Sequence, residues 1–422
     1  MEYLEINGKA KLGGEIEVHG AKNSVLPILA GAVLIRGTSV IHNCPDLSDV
    51  RVTLEILKHL GAKVEKERRT LIVDASNITE NSIPEVMMKE MRSSIIFLGA
   101  LVSRTGKACL FLPGGCDIGL RPIDLHLKAL ERLGYKLSFD GRNICCEKGK
   151  VKGSRIVLPF ESVGATENAI LSSVFLDGTT TIINAAREPE IEDLANFLNS
   201  AGADIKGAST SVIVINGTNS LSSTEHTVIP DRIEASTYMS LAAITKSELY
   251  IKNVNHIHLA PVVPPFYEMG CALFAYENAL KIKAPKKLRR VKLIQTRAYP
   301  GFPTDSQAML MAALTVANGS SLIEENIFEN RFRHASELMK FGADISVQSK
   351  IAVVHGVNSL HSTKAECTDL RGGAAVVIEA LAAEGKSHIT NIHHIDRGYE
   401  KIEKSLSSIG AEIKRIKNEE EC

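Results

Sequence analysis

The pattern of apolar and polar positions along the chain repeats six times. Each copy has an amphipathic run, then a glycine, then a strand-like run, as in LEILKHLGAKV, LKALERLGYKL and ASELMKFGADI. Apolar residues spaced at helical intervals before the glycine predict a helix that buries one face and ends in a left-handed turn. Because a regular interval indicates repeated structural units, we expect six of them. The glycines recur every 68 to 73 residues, at Gly61, Gly134, Gly202, Gly270, Gly342 and Gly410.

A second helix is predicted 37 to 42 residues before each glycine. Its residues are small or apolar nearly all round, as in NSVLPILAGAVL and GGAAVVIEALAA, which is typical of a buried helix. Runs such as TSVIHN, TTTIIN and ELYIKN predict strands between the helices. Each unit is therefore expected to run β-α-β-α-β-β, with three units on either side of a boundary near Ile229–Asp231. The predicted helix starts are Lys22, Arg92, Gly164, Arg232, Asp305 and Arg371.

The composition is that of a globular protein and argues against several classes of function. The 422 residues are 44% hydrophobic and 23% charged, with 49 basic and 49 acidic side chains and no Trp. This balance lacks the basic surplus and the stacking rings of a nucleic-acid binder. No stretch has the length of a membrane span and the first residues are not a signal peptide, so we expect no membrane partner and a cytoplasmic location. The eight cysteines lack Cys-x-x-Cys spacing, which predicts no zinc site, no disulfide framework and mostly buried thiols.

Cations stand where the repeat predicts apolar residues or helix starts. Eleven residues before its glycine the fifth copy has Arg331, whereas most other copies have an apolar residue there. Arg121 and Arg397 stand thirteen residues before theirs, near predicted helix starts, where a cation opposes the helix dipole unless an anion binds. Together with the helix-start residues Lys22, Arg92 and Arg371, they predict a ligand with phosphate and carboxylate groups held between the two halves. Solvated charges, surface salt bridges and pairing of Arg397 with Asp396 are the alternatives.

Two further residues are candidates for chemistry. Asp305 occupies a helix-start position, where it is either a base or hydrogen-bond acceptor for the ligand or an N-terminal cap. Cys116 lies in the glycine-rich segment LFLPGGCDIGLRPIDLH, and the nearby Arg121 favours a reactive thiolate. It could deliver a proton or form a covalent adduct. Neither a P-loop nor a G-x-G-x-x-G motif follows a predicted strand, so no nucleotide cofactor of those classes is expected.

Several motifs, in order along essentially the whole chain, resemble the UDP-N-acetylglucosamine 1-carboxyvinyltransferases, an enolpyruvyl transferase family. They are GAKNSVLP at 20–27, MRSS at 91–94, LPGGCDIGLRPIDLH at 112–126, SVGATEN at 162–168, PDRIE at 230–234, PGFPTD at 300–305, ENRF at 329–332, TDLRGG at 368–373 and HIDRGYE at 394–400. The resemblance implies a two-domain inside-out α/β barrel fold with six β-α-β-α-β-β repeats, three in each domain. It assigns residues 20–229 to the first domain and residues 1–19 with 230–422 to the second.

The resemblance also implies a reaction. The family transfers the enolpyruvyl group of phosphoenolpyruvate to the 3′-hydroxyl of UDP-N-acetylglucosamine and releases phosphate, the first committed step of peptidoglycan synthesis. Addition gives a tetrahedral phospholactoyl intermediate and elimination gives the enol ether, and neither a metal nor a cofactor is expected. Fosfomycin, an epoxide phosphonate, is expected to inhibit by alkylating Cys116.

The family's functional residues carry over to matching positions of this sequence. Cys116 would protonate the methylene carbon and Asp305 would orient or deprotonate the hydroxyl, with Lys22 and Arg397 completing the catalytic set. Asp369 would contact the substrate-binding residues and not the substrate itself. Phosphoenolpyruvate would bind Lys22, Asn23, Arg121, Arg331, Arg371 and Arg397. UDP-N-acetylglucosamine would contact Asn23, Arg92, Arg121, Pro122, Ile123, Asp124, Leu125, Ser162, Val163, Gly164, Asp305 and Ile327.

Two other functions stay open at this point. The enolpyruvyl transferase for shikimate 3-phosphate shares the implied fold and much of the anion chemistry, but its pattern lacks the cysteine-bearing glycine loop. A non-catalytic paralogue could bind the sugar nucleotide as a sensor, although it would have no need of Cys116 and Asp305. Phosphate release with each acceptor separates these alternatives.

Overall fold

The computed structural model describes residues 2–111 and 123–417, apart from the side chain of residue 92. These residues form two compact units. We call residues 20–111 with 123–229 the N-terminal unit, and residues 2–19 with 230–417 the C-terminal unit. Each unit has its own hydrophobic core.

The N-terminal unit contains three repeats. The chain first forms two strands of the other unit, β1 (Glu2–Asn7) and β2 (Gly13–Glu17). The first repeat has α1 (Lys22–Ala32), β3 (Thr38–His42), α2 (Ser48–His59), β4 (Lys63–Glu67) and β5 (Thr70–Asp74). The second has β6 (Ser82–Ile83), α3 (Glu85–Glu90), a 3₁₀ helix (Arg92–Ile96), α4 (Phe97–Thr105), β7 (Lys107–Phe111), α5 (Asp124–Arg132), β8 (Lys136–Asp140) and β9 (Asn143–Glu147). The third has β10 (Arg155–Val157), α6 (Val163–Ser173), β11 (Thr179–Ile183), α7 (Pro189–Ser200), β12 (Asp204–Lys206) and β13 (Val212–Asn216), with β14 (Thr224–Thr227) after it.

The C-terminal unit contains the other three repeats. The fourth has α8 (Arg232–Ile244), β15 (Glu248–Lys252), a 3₁₀ helix (His256–Leu259), α9 (Val263–Met269), β16 (Ala272–Tyr276) and β17 (Ala279–Lys283). The fifth has β18 (Leu293–Gln295), α10 (Thr304–Leu314), β19 (Ser320–Glu324), a 3₁₀ helix (Arg331–His334), α11 (Ala335–Met339), β20 (Asp344–Gln348) and β21 (Ile351–His355). The sixth has β22 (Lys364–Glu366), α12 (Leu370–Ala382), β23 (Lys386–Thr390), a 3₁₀ helix (Ile392–Arg397), α13 (Ile402–Ser407) and β24 (Glu412–Lys417).

Each repeat builds one four-stranded mixed sheet. In the third repeat the order is β10-β11-β13-β12, where β10 runs parallel to β11 and the other pairs are antiparallel. The second and fifth repeats have the same topology. In the other three repeats one strand of the sheet comes from elsewhere in the chain. Strand β14 is an edge strand of the first repeat's sheet, β2 is an edge strand of the fourth, and β1 lies between β23 and β24 of the sixth.

The structure confirms the helices and glycines that the repeat predicts. Almost every described residue of α1, α6, α8, α10 and α12 is buried, as their apolar composition requires. In five repeats this buried helix begins within one residue of its predicted start. In the second repeat a 3₁₀ helix begins at Arg92 and the α-helix follows at Phe97. All six repeat glycines have φ between +92° and +108°, a left-handed conformation that side chains with a Cβ disfavour.

One expectation about the cysteines is wrong. Cys109 on β7 lies directly opposite Cys145 on β9, and the two form a disulfide with Cα atoms 4.1 Å apart. The sequence gives no signal for it, since strand pairing rather than spacing brings the two thiols together. The expected buried thiols are found at four other positions, Cys44, Cys146, Cys271 and Cys367.

Candidate active site

The buried helices α8, α10 and α12 of the C-terminal unit begin close to one another. Ser236 of α8 and Ser306 of α10 share a hydrogen bond of 2.8 Å between their hydroxyls. Arg371 of α12 reaches Asp305 of α10, with Nη2 and Oδ2 3.7 Å apart. Helix N-termini carry unpaired N–H groups and partial positive charge, so this end of the unit is suited to an anion.

Asp305 is held by a buried arginine. It is the second residue of α10, and the N-cap position belongs to Pro303, so the interpretation of Asp305 as the N-cap residue is wrong. Its Oδ1 lies 2.8 Å from Nη2 of Arg331, which also donates to the Thr304 carbonyl at 3.2 Å. Arg331 is only 3% exposed, which excludes a solvated charge. Arg331, the cation at a repeat position that is mostly apolar, thus orients the Asp305 carboxylate.

Asp369 supports the same cluster from the start of α12. Its Oδ1 accepts the backbone N–H groups of Arg371 and Gly372 at 3.0 and 3.1 Å and lies 3.6 Å from Nη1 of Arg331. Burial by itself would raise the pKa of Asp369, but Arg331, His334 and the two N–H groups hold it below its ordinary value. The carboxylate therefore stays charged inside the unit and pairs with the cation beside it.

Arg371 keeps its charge although only 3% of it is exposed. Burial acts against the guanidinium, yet Asp305, Tyr399 and Asp231 raise the pKa of Arg371 above its ordinary value. Asp231 caps α8 by accepting the N–H groups of Ile233 and Glu234. The cluster thus balances buried arginines with carboxylates from three helix starts.

Arg397 is not at a helix start, contrary to the prediction. It ends the 3₁₀ helix Ile392–Arg397 and lies five residues before α13. A cation at a helix C-terminus does not oppose the dipole, so that argument for an anion does not apply to Arg397. Asp396 forms a two-pronged ion pair with Arg415, at 2.7 and 3.0 Å.

Glu325 fixes the loop that carries Ile327. This buried carboxylate accepts the N–H groups of Ile327 and Phe328 at 2.9 and 3.2 Å and the Thr304 hydroxyl at 3.0 Å. Thr304 begins α10, so Glu325 ties the loop to the helix that carries Asp305. Ile327 itself is 39% exposed, which leaves an apolar surface available to a ligand.

In the N-terminal unit, Lys22 is the first residue of α1 and forms a buried ion pair. Its Nζ lies 2.8 Å from Oδ2 of Asp49 on α2, and the two residues are 8% and 2% exposed. A surface salt bridge is thereby excluded for Lys22. Asn23 follows in α1 and is half-buried.

Two segments predicted to contact the nucleotide sugar come together in the N-terminal unit. Ser162 caps α6 by accepting the Ala165 N–H, so that Val163 and Gly164 form the first turn. A Cβ on Gly164 would lie 2.8 Å from the ring of His126, which follows Asp124 and Leu125 in the first turn of α5. His126 Nδ1 is 2.7 Å from Nδ2 of Asn168 of α6. The residues concerned are Ile123, Asp124, Leu125, Ser162, Val163 and Gly164.

Several predicted residues lie outside the described part of the chain. They are Cys116, Arg121 and Pro122, together with the side chain of Arg92, whose backbone begins the 3₁₀ helix Arg92–Ile96. Within residues 2–111 and 123–417 no group of three or more His, Cys, Asp or Glu side chains is placed to hold a metal ion. In the same ranges, no helix has the length and apolar character that crossing a membrane requires.

Sequence reasoning did not single out several residues that the structure brings to these clusters. Asp49, Glu325, His334 and Tyr399 each hold or face a residue predicted to bind substrate. Tyr399 had a signal, because it stands eleven residues before its glycine, the position of Arg331 in the fifth repeat. The other three stand beside other polar residues in the sequence, in LSDVR, IEENI and FRHAS, so the pattern does not single them out.

The comparisons with known proteins agree over the length of the chain. The family model for EPSP synthase (3-phosphoshikimate 1-carboxyvinyltransferase) matches residues 6–406. The chain is 50% identical to UDP-N-acetylglucosamine 1-carboxyvinyltransferase 2 of Caldanaerobacter subterraneus subsp. tengcongensis, over 99% of this chain and 100% of that protein. It is 46% identical to the protein of the same name from Carboxydothermus hydrogenoformans, again over 99% and 100%.

Solved structures show the same fold. The enolpyruvyl transferase NikO from Streptomyces tendae matches with a TM-score of 0.90 and 27% identity, over 98% of both chains. EPSP synthase from Acinetobacter baumannii matches with a TM-score of 0.79 and 17% identity, over 99% of this chain and 100% of that one. These likenesses confirm the predicted two-domain α/β fold. The chain therefore belongs to the EPSP synthase family and, within it, to the UDP-N-acetylglucosamine 1-carboxyvinyltransferases.

Proposed function

We propose that this protein transfers the enolpyruvyl group of phosphoenolpyruvate to the 3′-hydroxyl of UDP-N-acetylglucosamine, at the entry to peptidoglycan synthesis. The hydroxyl oxygen attacks C2 of phosphoenolpyruvate and gives its proton to Asp305, while C3 takes a proton from Cys116. The resulting phospholactoyl intermediate then loses a proton from C3 and expels phosphate, leaving the enol ether.

The observation that carries this proposal is the position of the Asp305 carboxylate. It stands in the first turn of α10, 2.8 Å from the Arg331 guanidinium and 3.7 Å from that of Arg371, and its side chain is still 30% exposed. A base must be oriented and must be reachable by the proton it accepts. Asp305 meets both requirements, since two buried cations fix it on one side and solvent reaches it on the other.

The anionic groups of phosphoenolpyruvate are assigned to a set of cationic side chains. The geometry supports two of them, because Arg331 and Arg371 are buried, paired and adjacent to the helix ends of the C-terminal unit. Lys22 is likewise fixed at a helix start by Asp49. A preorganised set of donors stabilises developing charge without reorganising. The proposed phosphoenolpyruvate ligands are Lys22, Asn23, Arg121, Arg331, Arg371 and Arg397.

The sugar nucleotide is assigned mainly to the N-terminal unit. There the first turns of α5 and α6 meet through His126, presenting backbone N–H groups and the Ser162 hydroxyl. Helix N-termini of this kind suit a diphosphate. The remaining proposed contacts are Asn23, Arg92, Arg121, Pro122, Asp305 and Ile327.

Three further properties belong to the same proposal. The two compact units are taken as the two enolpyruvyl transferase domains, residues 20–229 and residues 1–19 with 230–422. The protein acts in the cytoplasm, where its nucleotide-sugar substrate is made. Cys116 is the thiol alkylated by fosfomycin.

A phosphate-release assay tests the function directly. Phosphate should appear with phosphoenolpyruvate and UDP-N-acetylglucosamine and not with shikimate 3-phosphate as acceptor. Tight binding of UDP-N-acetylglucosamine without phosphate release would instead identify a non-catalytic paralogue.

A pair of aspartate variants tests the role of Asp305. Asp305→Asn should lower kcat by about 100-fold or more, the usual effect of losing a positioned acid or base, while the sugar nucleotide still binds. Asp344→Asn, on exposed β20 of the same repeat, is the matched control and should keep full turnover. Equal activity of the two variants would contradict the assignment.

A further inference from the structure

Arg371 is held on one face by a tyrosine. Its Nη1 donates to the Tyr399 hydroxyl at 3.4 Å, and its guanidinium carbon lies 5.7 Å from the centre of the Tyr399 ring. The other amino group of the guanidinium, Nη2, lies 3.7 Å from Oδ2 of Asp305. Arginine side chains have several rotatable bonds, so an arginine that must meet an anion in one geometry needs such restraints.

The Tyr399 hydroxyl belongs to a hydrogen-bond chain with only one possible direction. It lies 2.8 Å from Oγ1 of Thr237, which in turn donates to the Ile233 carbonyl at 2.9 Å. A guanidinium can only donate and a carbonyl can only accept. The protons therefore point from Arg371 to Tyr399, from Tyr399 to Thr237, and from Thr237 to Ile233.

The hydrogen-bond chain links three separate elements of the C-terminal unit. Arg371 belongs to α12, Thr237 to α8, and Tyr399 to the segment between the last 3₁₀ helix and α13. Tyr399 is 1% exposed, and burial raises the pKa of its hydroxyl, which therefore keeps the proton that it donates. Each hydroxyl in the chain has both a donor and an acceptor, so the buried polar groups are satisfied.

The repeat argues that Tyr399 is more than a core residue. The equivalent positions in three other repeats hold the buried aliphatic residues Val50, Ile191 and Leu259, whose side chains have no polar atom. A hydroxyl at such a position costs free energy unless it is bonded, and here its partner is the arginine assigned to substrate.

We propose that Tyr399 is a positioning residue that sets the orientation of Arg371 toward phosphoenolpyruvate, with Thr237 fixing the direction of the Tyr399 hydroxyl. The inference rests on the proposed role of Arg371 in binding that substrate. Tyr399 itself touches no substrate in this scheme. It acts by restricting the guanidinium to one plane and one hydrogen-bonding direction.

Tyr399→Phe removes the hydroxyl and keeps the ring. Loss of one hydrogen bond to a buried charged group predicts that the KM for phosphoenolpyruvate rises about tenfold or more. The KM for UDP-N-acetylglucosamine should stay within about twofold, since that ligand is assigned mainly to other residues. Tyr135→Phe is the matched control, because Tyr135 is also buried and donates to the Ser172 carbonyl in the N-terminal unit. It should change neither KM.

The direction of the hydrogen bonds from Arg371 through Tyr399 to Thr237 gives a second test. Thr237→Val removes the acceptor of the Tyr399 proton and should reproduce the effect of Tyr399→Phe on the phosphoenolpyruvate KM. Thr237→Ser keeps a hydroxyl and should restore the wild-type value. Melting temperatures of all variants show whether a change reflects lost stability.

The outcomes separate this inference from the proposed function. Arg371→Ala with an unchanged phosphoenolpyruvate KM would overturn the assigned role of Arg371, and the positioning role with it. A raised KM in Arg371→Ala together with wild-type values in Tyr399→Phe would overturn the positioning role alone. Equal changes in both KM values, with a lowered melting temperature, would make Tyr399 a structural residue and also overturn it.

Discussion

Replacing His334 by Gln is expected to remove much of the acid sensitivity of the C-terminal unit. The imidazole is fully buried; its Nδ1 faces the Arg331 carbonyl at 3.1 Å, and its Nε2 has no hydrogen-bond partner among the described residues. Burial lowers the pKa of His334 to about 4; the Asp369 charge opposes this and Arg331 adds to it. In an unfolded chain the same group titrates near pH 6.5.

Between these two pKa values the unfolded chain binds a proton that the folded protein does not. Stability is therefore lost as the pH falls through this window. From pH 7 to pH 5 a single histidine shifted this far costs about 2 kcal/mol of the free energy of unfolding. In a unit of this size, that loss lowers the melting temperature by about 4–8 °C. Asp369 adds little in this range, because aspartate is ionised in the unfolded chain above pH 5.

Calorimetric melts at pH 7, 6 and 5 measure the effect. His334→Gln should melt below wild type at pH 7, since it disturbs buried packing, but the gap should shrink by about 4–8 °C at pH 5. His355→Gln, on the exposed end of β21, is the control and should follow wild type. A constant gap from pH 7 to pH 5 in a folded His334→Gln variant would refute the electrostatic reasoning.

Three other predictions concern the proposed site. Cys116→Ser should abolish both turnover and fosfomycin alkylation, whereas Cys116→Asp keeps an acid and should keep turnover while resisting alkylation; peptide mass mapping reports the adduct. Cys271→Ser is the control, because burial raises the pKa of the Cys271 thiol to about 11 and an adduct there would contradict the assignment. Asp49→Asn should lower kcat/KM for phosphoenolpyruvate by about 10- to 100-fold, since Lys22 loses a charged partner, and unchanged steady-state kinetics would contradict this. Gly164→Ala should raise the KM for UDP-N-acetylglucosamine in the same assay, because its Cβ would displace the neighbouring ring, and an equal rise for phosphoenolpyruvate would point to general disruption.

The periodic features of the fold were predictable because they follow from local rules. Each repeat glycine ends a helix in the left-handed region, and a single sequence shows both the apolar face and the glycine that follows it. The strand-like runs contain a second repeated feature, a terminal asparagine, that also follows a local rule. Asparagine ends the runs TSVIHN, TTTIIN and ELYIKN with φ near +55°. Each asparagine side chain donates to the carbonyl that directly follows the parallel edge strand of its sheet, as Asn43 does to Val228 after β14.

Features that depend on long-range pairing were not predictable. The Cys109–Cys145 disulfide follows from the register of β7 against β9, and nothing in the spacing of the cysteines indicates that register. The ion pair of Lys22 joins two helices whose packing the pattern predicts only in outline. Arg397 shows the opposite error, because a repeat offset implied a helix start where the chain instead ends a 3₁₀ helix.

The exchange of strands between distant parts of the chain has a consequence for synthesis on the ribosome. The N-terminal unit needs nothing beyond residue 229, so it can fold while the rest is still being made. Strand β1 emerges first, yet its partners β23 and β24 are complete only at residue 417, about 190 residues after that unit. At about 5–20 residues per second this delay is about 10–40 s. During that time β1, which buries Leu4 and Ile6 in the folded protein, has no neighbouring strand. Chains released early would thus expose an unpaired edge, so the first strands, more than the finished N-terminal unit, should determine whether such fragments aggregate.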